Sequence, residues 1–388
     1  MRPVVVAGVY SSTDAYPNVK YKIELLRELA GSNFQDTGYS VRSRLAYGSK
    51  IGFFVSGAKY ALELAVKSLL AAVRIMRIDR SAIVYIPYPS IVVLGLLSFL
   101  PIGKKKIFIS DMFISVYDTV VVDRNIVIKS SLVARALLWL ERRVVEVCQY
   151  NLVDTPENAK YYAELLEVNE NKFTYIPLSI NESTYLTTPK NKVRKPTESV
   201  RVLYVGTLVP LHNIKALCDA IELVQPSCKV EFVFVGSGQQ SGILEAFFER
   251  KKWAENIICH WEKQWKETEE ILQEIEIADL CIGILGMSGK AQRVWPYKNY
   301  IYMACGKPIV TSESSVSQRL ASGEQSDAFV AVDSSDARVL ADTLMRLIEN
   351  PYIRSSLGVN ARALYTSELS HNAAKKSLLN LINDKLGV

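Results

Sequence analysis

The chain has 388 residues, with 46 Lys and Arg against 40 Asp and Glu and a formal net charge of +6. That length exceeds one ordinary hydrophobic core and predicts two domains, while 49% apolar and 22% charged residues exclude a disordered chain. The mild positive charge admits an anionic partner, either a phosphate-bearing ligand or an anionic membrane surface, and no nucleic-acid partner is expected. Six cysteines (Cys148, Cys218, Cys228, Cys259, Cys281, Cys305) form no CxxC pair, and with three histidines they make no zinc pattern. They read as reduced core residues of a cytoplasmic protein.

"MRPVVVAGVYSS" has too short an apolar run for a signal peptide. Residues 3–8 predict a strand and 16–31 a helix stopped by Gly31. Residues 49–80 form a long apolar helical stretch with Lys50, Lys59, Lys67, Arg74 and Arg77 and a single acid, Glu63, before Asp79. Such a helix either lies on an anionic bilayer or is a core helix with one solvated edge. The most membrane-like segment, residues 82–106, is divided by Pro87 and Pro89 into a short strand and a short helix, each below spanning length. Strands at 105–110 and 149–155, with helices near 54–78, 90–100, 131–147 and 156–166, complete a βαβ rhythm.

Residues 187–199, "TTPKNKVRKPTES", are polar and without periodicity, and read as a linker. Beyond them strands at 200–206, 230–236, 256–261, 279–285 and 307–312 alternate with helices at 214–224, 241–251, 268–278 and 296–306. A further helix is expected at 336–349. The expected fold class is therefore α/β. Two doubly wound halves, 1–187 and 200–367, are joined by one linker, and a C-terminal helix at about 368–388 can pack back onto the first. Ligands in such sheets bind at the carboxyl ends of the strands, most simply in a cleft between halves.

Four stretches carry chemistry. "VFVGSGQQSG" (233–242) ends a strand with Gly236 and Gly238, either as a tight turn or as a place where a nucleotide approaches the backbone. No acid marks a ribose site about 20 residues on, which argues against a redox dinucleotide. In "YVGTLVPLHNI" (204–214), Gly206 permits close approach, and Thr207 and His212 can donate hydrogen bonds unless the histidine is merely solvated. In "GILGMSGKAQRVWPYKNYIYMACGKPIV" (283–310), Pro296 starts a helix that Gly306 and Pro308 end. Lys298 then sits at a helix start that is already positive, with Lys290 and Arg293 just before it. No Asp or Glu occurs between Leu280 and Ser312. That combination predicts a diphosphate site, against the alternative of a solvated basic loop. Asp111, directly after a strand in "FISDMFISVYDTVVVDR", is a general base, an orienter of an acceptor hydroxyl, or a turn cap.

The last three of these patches, with "VDTPENAKYY", resemble the GT-B glycosyltransferases, and in detail the family-4 enzymes of cell-surface polysaccharide assembly. The likeness is closest in "PYKNYIYMACGKPIV", which is similar to their donor-site block. The resemblance implies a hexosyltransferase that moves a sugar from a UDP- or GDP-sugar to a glycan or polyprenyl-linked acceptor at the inner membrane face. It implies retention of configuration and no metal cofactor. It places Gly206, Thr207 and His212 on the loop facing the phosphates, Lys290, Arg293 and Lys298 on the departing diphosphate, and Trp261 and Glu262 on the turn flanking the base. Arg293 and Ile301 stand where many family members carry a Glu-x7-Glu pair. That departure favours, as the alternative, a non-catalytic subunit that scaffolds a partner transferase.

Overall fold

The computed structural model describes residues 2–11, 17–41, 50–100, 106–186, 199–323 and 327–385. The linker residues 187–198 and the Lys50 and Lys59 side chains lie outside the described residues. The chain forms two compact units, Met1–Ser179 with His371–Val388, and Ile180–Ser370.

The first unit contains β1 (Val4–Val6), β2 (Val9–Ser11), α1 (Pro17–Ala30), β3 (Phe34–Asp36), β4 (Tyr39–Val41), α2 (Lys50–Arg77), β5 (Ile83–Ile86) and α3 (Ser90–Leu97). It continues through β6 (Ile107–Asp111), α4 (Leu132–Val147), β7 (Tyr150–Val153), α5 (Pro156–Leu166) and β8 (Phe173–Tyr175). Its main sheet is parallel, in the order β3-β1-β5-β6-β7-β8, and β2 and β4 pair separately. The central strands β1 (VVV) and β5 (IVYI) are apolar throughout and buried at every position because both faces are covered, while the edge strand β3 (FQD) is not. Ile83 and Tyr85 join the core under α1, and Val84 and Ile86 join the one under α2 and α3. Thr155 caps α5 by accepting from the Asn158 N–H, and Pro156 takes the first helical position, where its missing N–H costs nothing.

The second unit contains α6 (Glu182–Tyr185), β9 (Val200–Val205), α7 (Ile214–Ile221), β10 (Val230–Val235), α8 (Ser241–Arg250), β11 (Ile257–Glu262) and α9 (Thr268–Ile277). Then come β12 (Leu280–Ile282), α10 (Tyr297–Ala304), β13 (Ile309–Ser312), α11 (Ser315–Ala321), β14 (Val330–Val332), α12 (Ala337–Glu349) and α13 (Pro351–Leu364). Its sheet runs β11-β10-β9-β12-β13-β14, all parallel. The chain order reverses between β9 and β12, so their carboxyl ends flank a topological switch point, the crevice where such sheets take ligands. The last helix, α14 (His371–Asn380), belongs to the first unit, where Lys375 and His371 pair with Glu28 of α1.

Asp111 corrects an expectation. It is fully buried, and both carboxylate oxygens are engaged, one by Lys22 Nζ at 2.9 Å and the other by the Tyr85 hydroxyl at 2.9 Å. Lys22 is equally buried and its ammonium lies 5.7 Å from the Phe113 ring centre. The carboxylate is thus a tie between α1, β5 and β6, not an exposed base or a cap. Lys22→Met leaves that carboxylate buried beside Tyr85 alone. It should lower the unfolding free energy by about 3–5 kcal/mol in urea titrations, with Lys22→Met/Asp111→Asn losing less. An unchanged midpoint for the single variant contradicts the tie.

Candidate functional site

At the switch point, three loops are held by backbone contacts that admit no side chain. A Cβ on Gly206, just after β9, would lie 2.9 Å from His212 Cε1 and 3.4 Å from Lys298 Nζ. A Cβ on Gly236, after β10, would meet the Gly206 carbonyl oxygen at 2.4 Å, and one on Gly238 would meet the Leu208 backbone at 2.8 Å. After β12, a Cβ on Gly286 would meet the Leu211 carbonyl oxygen at 2.2 Å. The Leu208 N–H donates to the Ser237 carbonyl, the Gln240 N–H to the Leu208 carbonyl, and the Leu285 N–H to the His212 carbonyl. The 206–213 loop is therefore clamped on both sides. Gly236 and Gly238 are accounted for by this packing of loop on loop.

The clamp positions three side chains. Tyr204 of β9 and His212 share a 2.6 Å hydrogen bond through the tyrosine oxygen and Nδ1. Lys298 enters from the first turn of α10, for which Pro296 supplies the extended cap position. Its ammonium lies 4.0 Å from the Tyr204 ring centre. Lys298 is half-buried as a residue, but its Nζ is sealed from solvent and makes no hydrogen bond among the described residues. Burial holds its pKa well below the usual lysine value. Burial, and then the charge of Lys298, push the His212 imidazole well below its ordinary value, while a hydrogen bond with the Thr207 backbone acts the other way. His212 is thus neutral at neutral pH. Burial pushes the Tyr204 phenol up, so its hydroxyl stays protonated. The cation–π contact partly replaces the water that Lys298 has lost. No carboxylate among the described residues pairs with it.

The other expected residues are placed differently. Arg293 is buried and its Nε donates to the Gly289 carbonyl at 2.9 Å, folding it back on its own loop. Lys290 is half-buried in the same turn, and the contacts that gather at Gly206 are those of Lys298 and His212. Lys307 caps the end of α9 through the Glu276 and Ala278 carbonyls. Thr207 is exposed on the clamped loop. Trp261 donates from Nε1 to the Gly236 carbonyl at 2.8 Å, and Lys263 sits 4.5 Å from its ring centre. Glu262 is exposed, and its backbone carbonyl accepts from the Gly236 N–H. Tyr204 was no part of the expected site, because a tyrosine inside an apolar strand run carries no signal of its own. Asn299, next to Lys298, is fully buried, and neither side-chain amide atom is hydrogen-bonded among the described residues.

Residues 199–350 match the family model described as glycosyl transferases group 1. No curated protein matches the chain by sequence. Among solved structures, sucrose-phosphate synthase from Thermosynechococcus elongatus superposes with a TM-score of 0.70 at 15% identity, over 100% of both chains. Anabaena HepE, solved in complex with UDP and glucose, superposes at 0.69 with 12% identity, again over 100% of both chains. TarM of S. aureus, solved with UDP and other ligands, superposes at 0.58 with 13% identity, over 82% of this chain and 59% of its own.

The fold is GT-B. The second unit, which the family model covers in large part, is the GT-B half that contains the Lys298 cluster. Arg293 and Ile301, read from the sequence as standing where a carboxylate pair is expected, are both buried, Ile301 on α10.

A lysine whose folded pKa is depressed destabilises the fold below its unfolded pKa. The penalty falls as pH rises from the folded pKa towards about 10.4, because the unfolded chain releases its extra proton over that window. Lys298→Met should therefore raise the stability of the unliganded protein at pH 7 by about 1–4 kcal/mol. The gain should shrink towards pH 10 in calorimetric scans. A destabilised Lys298→Met variant contradicts a desolvated, unpaired ammonium.

Proposed function

We propose that the protein is a nucleotide-sugar-dependent glycosyltransferase of the hexosyltransferase type, with UDP- or GDP-sugar as donor. The observation that carries this reading is the sealed Lys298 ammonium, without a hydrogen-bond acceptor, beside Gly206 at the switch point of the second unit. Cleaving the bond between the anomeric carbon and a diphosphate oxygen builds negative charge on the leaving group. A fixed cation and the free N–H groups of the α10 N-terminus stabilise that charge best where water is excluded. Neutral His212 can donate one hydrogen bond to a phosphate oxygen without adding a second buried cation. Gly206 leaves room for the diphosphate against the loop, and Thr207 adds an exposed hydroxyl there. Lys290 and Arg293 complete the basic side of the same site in this reading, Arg293 after release from Gly289. Trp261, Glu262 and the Gly236–Gly238 turn flank the base.

The family match over 199–350 supports a sugar transfer, and the UDP and UDP-glucose complexes of HepE support a nucleotide-sugar donor. Resemblance to group 1 enzymes supports retention of configuration. We assign the side-chain cations the role a metal ion plays elsewhere, so transfer proceeds without one. The acceptor in this proposal is a glycan or polyprenyl-linked glycan bound by the first unit.

A panel of nucleotide sugars screened by thermal shift identifies the donor. At a concentration one hundred times Kd the correct one adds about 2.7 kcal/mol of stability by mass action. Lys298→Ala should abolish that gain. Release of nucleoside diphosphate from the donor should proceed unchanged in excess chelator. Nucleotide binding with no transfer and no donor hydrolysis would instead favour the non-catalytic subunit. The replacement of both carboxylates by Arg293 and Ile301 is the observation behind that second reading. No stabilisation by any nucleoside diphosphate contradicts the transferase reading.

A further inference from the structure

The exposed apolar surface of the protein is concentrated in the first unit. Fifteen of the twenty-two large apolar side chains exposed among the described residues lie between Leu62 and Trp139. On α2 they are Leu62, Val66, Leu69, Leu70, Val73 and Met76, a stripe at helical spacing. The opposite side of the same helix is already used, since Ala71, Ala72 and Ile75 pack into the core over β5 and β6. Helix α2 packs on α3, and α3 on α4. Phe99 and Leu100, just after α3, carry the exposed patch onward, and the Phe99 and Trp139 rings meet at 5.9 Å. Ile126, Ile128, Leu132 and Val133 extend it over the start of α4, with Ile128 at 74% and Leu132 at 79% exposure.

Chains that need only solubility do not expose a surface of this kind. Its charge identifies the partner. Arg77, Arg80, Arg124, Lys129 and Arg135 are exposed among these apolar side chains. Arg143 lies over both aromatic rings, 5.4 Å from the centre of Phe99 and 5.3 Å from that of Trp139. Of the acids nearby, Glu63 is paired with Lys67, and Asp79 accepts from Ser81. Asp111, Asp118 and Glu141 are buried, and Asp123 is half-buried. Apolar side chains along α2, a helix some 42 Å long, and the Trp139 ring of α4 beside basic residues match the boundary between lipid headgroups and acyl chains. No helix among the described residues is long and apolar enough to cross a membrane.

We infer that the outer face of α2, the end of α3 and the start of α4 form one docking surface that lies on an anionic lipid bilayer. Leu62 to Met76, Phe99, Leu132 and Val133 enter the interface, and the arginines and Lys129 meet the headgroups. The inference does not depend on the donor chemistry of the second unit, and it enlarges the helix read from residues 49–80 into a three-helix face.

The test is co-sedimentation of the full chain with vesicles of phosphatidylcholine alone or mixed with phosphatidylglycerol. Binding should be at least about tenfold stronger to the anionic vesicles, since each cation at such a surface contributes favourably, and should weaken as salt is raised. Leu62→Glu/Leu69→Glu on α2 and Leu132→Glu/Val133→Glu on α4 should each lose most of the binding. Both should keep the wild-type urea midpoint and nucleotide response, because these side chains are exposed. Brominated lipid should quench the wild-type fluorescence, and Trp139→Phe should lose that quenching. Equal binding to neutral vesicles overturns the role of charge. Absence of binding overturns the inference, and a dimer in light scattering that the Glu variants dissociate would assign the face to a second copy of the chain.

Discussion

A lysine ammonium sealed from water with no anion beside it is the constraint on which the candidate site depends. Lys298 has lost its hydration and has gained only the face of Tyr204. The surrounding structure keeps it in that state. Gly206 has no side chain to fill the space before it, and Gly236 and Gly286 lock the loop on either side. His212 remains neutral, so no second cation repels it. In the proposed function, an arrangement that costs the free protein stability becomes favourable once a diphosphate is bound.

The two buried lysines show how the same side chain serves different ends. Lys22 is paired with Asp111, which also takes the Tyr85 hydroxyl, and the three groups satisfy one another inside a closed core. Lys298 has no such partner and lies at the switch point of the sheet, where the strand order opens a crevice. The first pair fixes an architecture, and the second lysine is the one to which the proposed function assigns a ligand.

Much of the fold was legible in the sequence because its signals are local. Long apolar strands covered on both faces, the Thr155-Pro156 start of α5 and the left-handed Gly306 after α10 all act through near neighbours. The three-residue strands β2, β3, β4, β8 and β14 are too short to show a period, and the short helices α6 and α11 were missed with them. In the site, Lys298 could be found because a cation at a helix start without nearby acids is anomalous. Arg293 could not be placed, because its partner is a backbone carbonyl, and Asp111 could not, because its partner lies 89 residues away. Tyr204 looks from its neighbours like any core aromatic until the fold brings Lys298 over its ring. Long-range pairing of this kind leaves no local pattern.

The most direct measurement of the central claim is the proton balance of nucleotide binding. Burial lowers the Lys298 pKa and a bound diphosphate raises it, so nucleotide binding should be accompanied by proton uptake wherever the pH lies between the free and bound values. Titration calorimetry with UDP or GDP over a pH series, in buffers of different ionisation enthalpy, should show proton uptake in the wild type and none attributable to this site in Lys298→Met. Binding with no proton uptake, or uptake unchanged in the variant, would contradict the account.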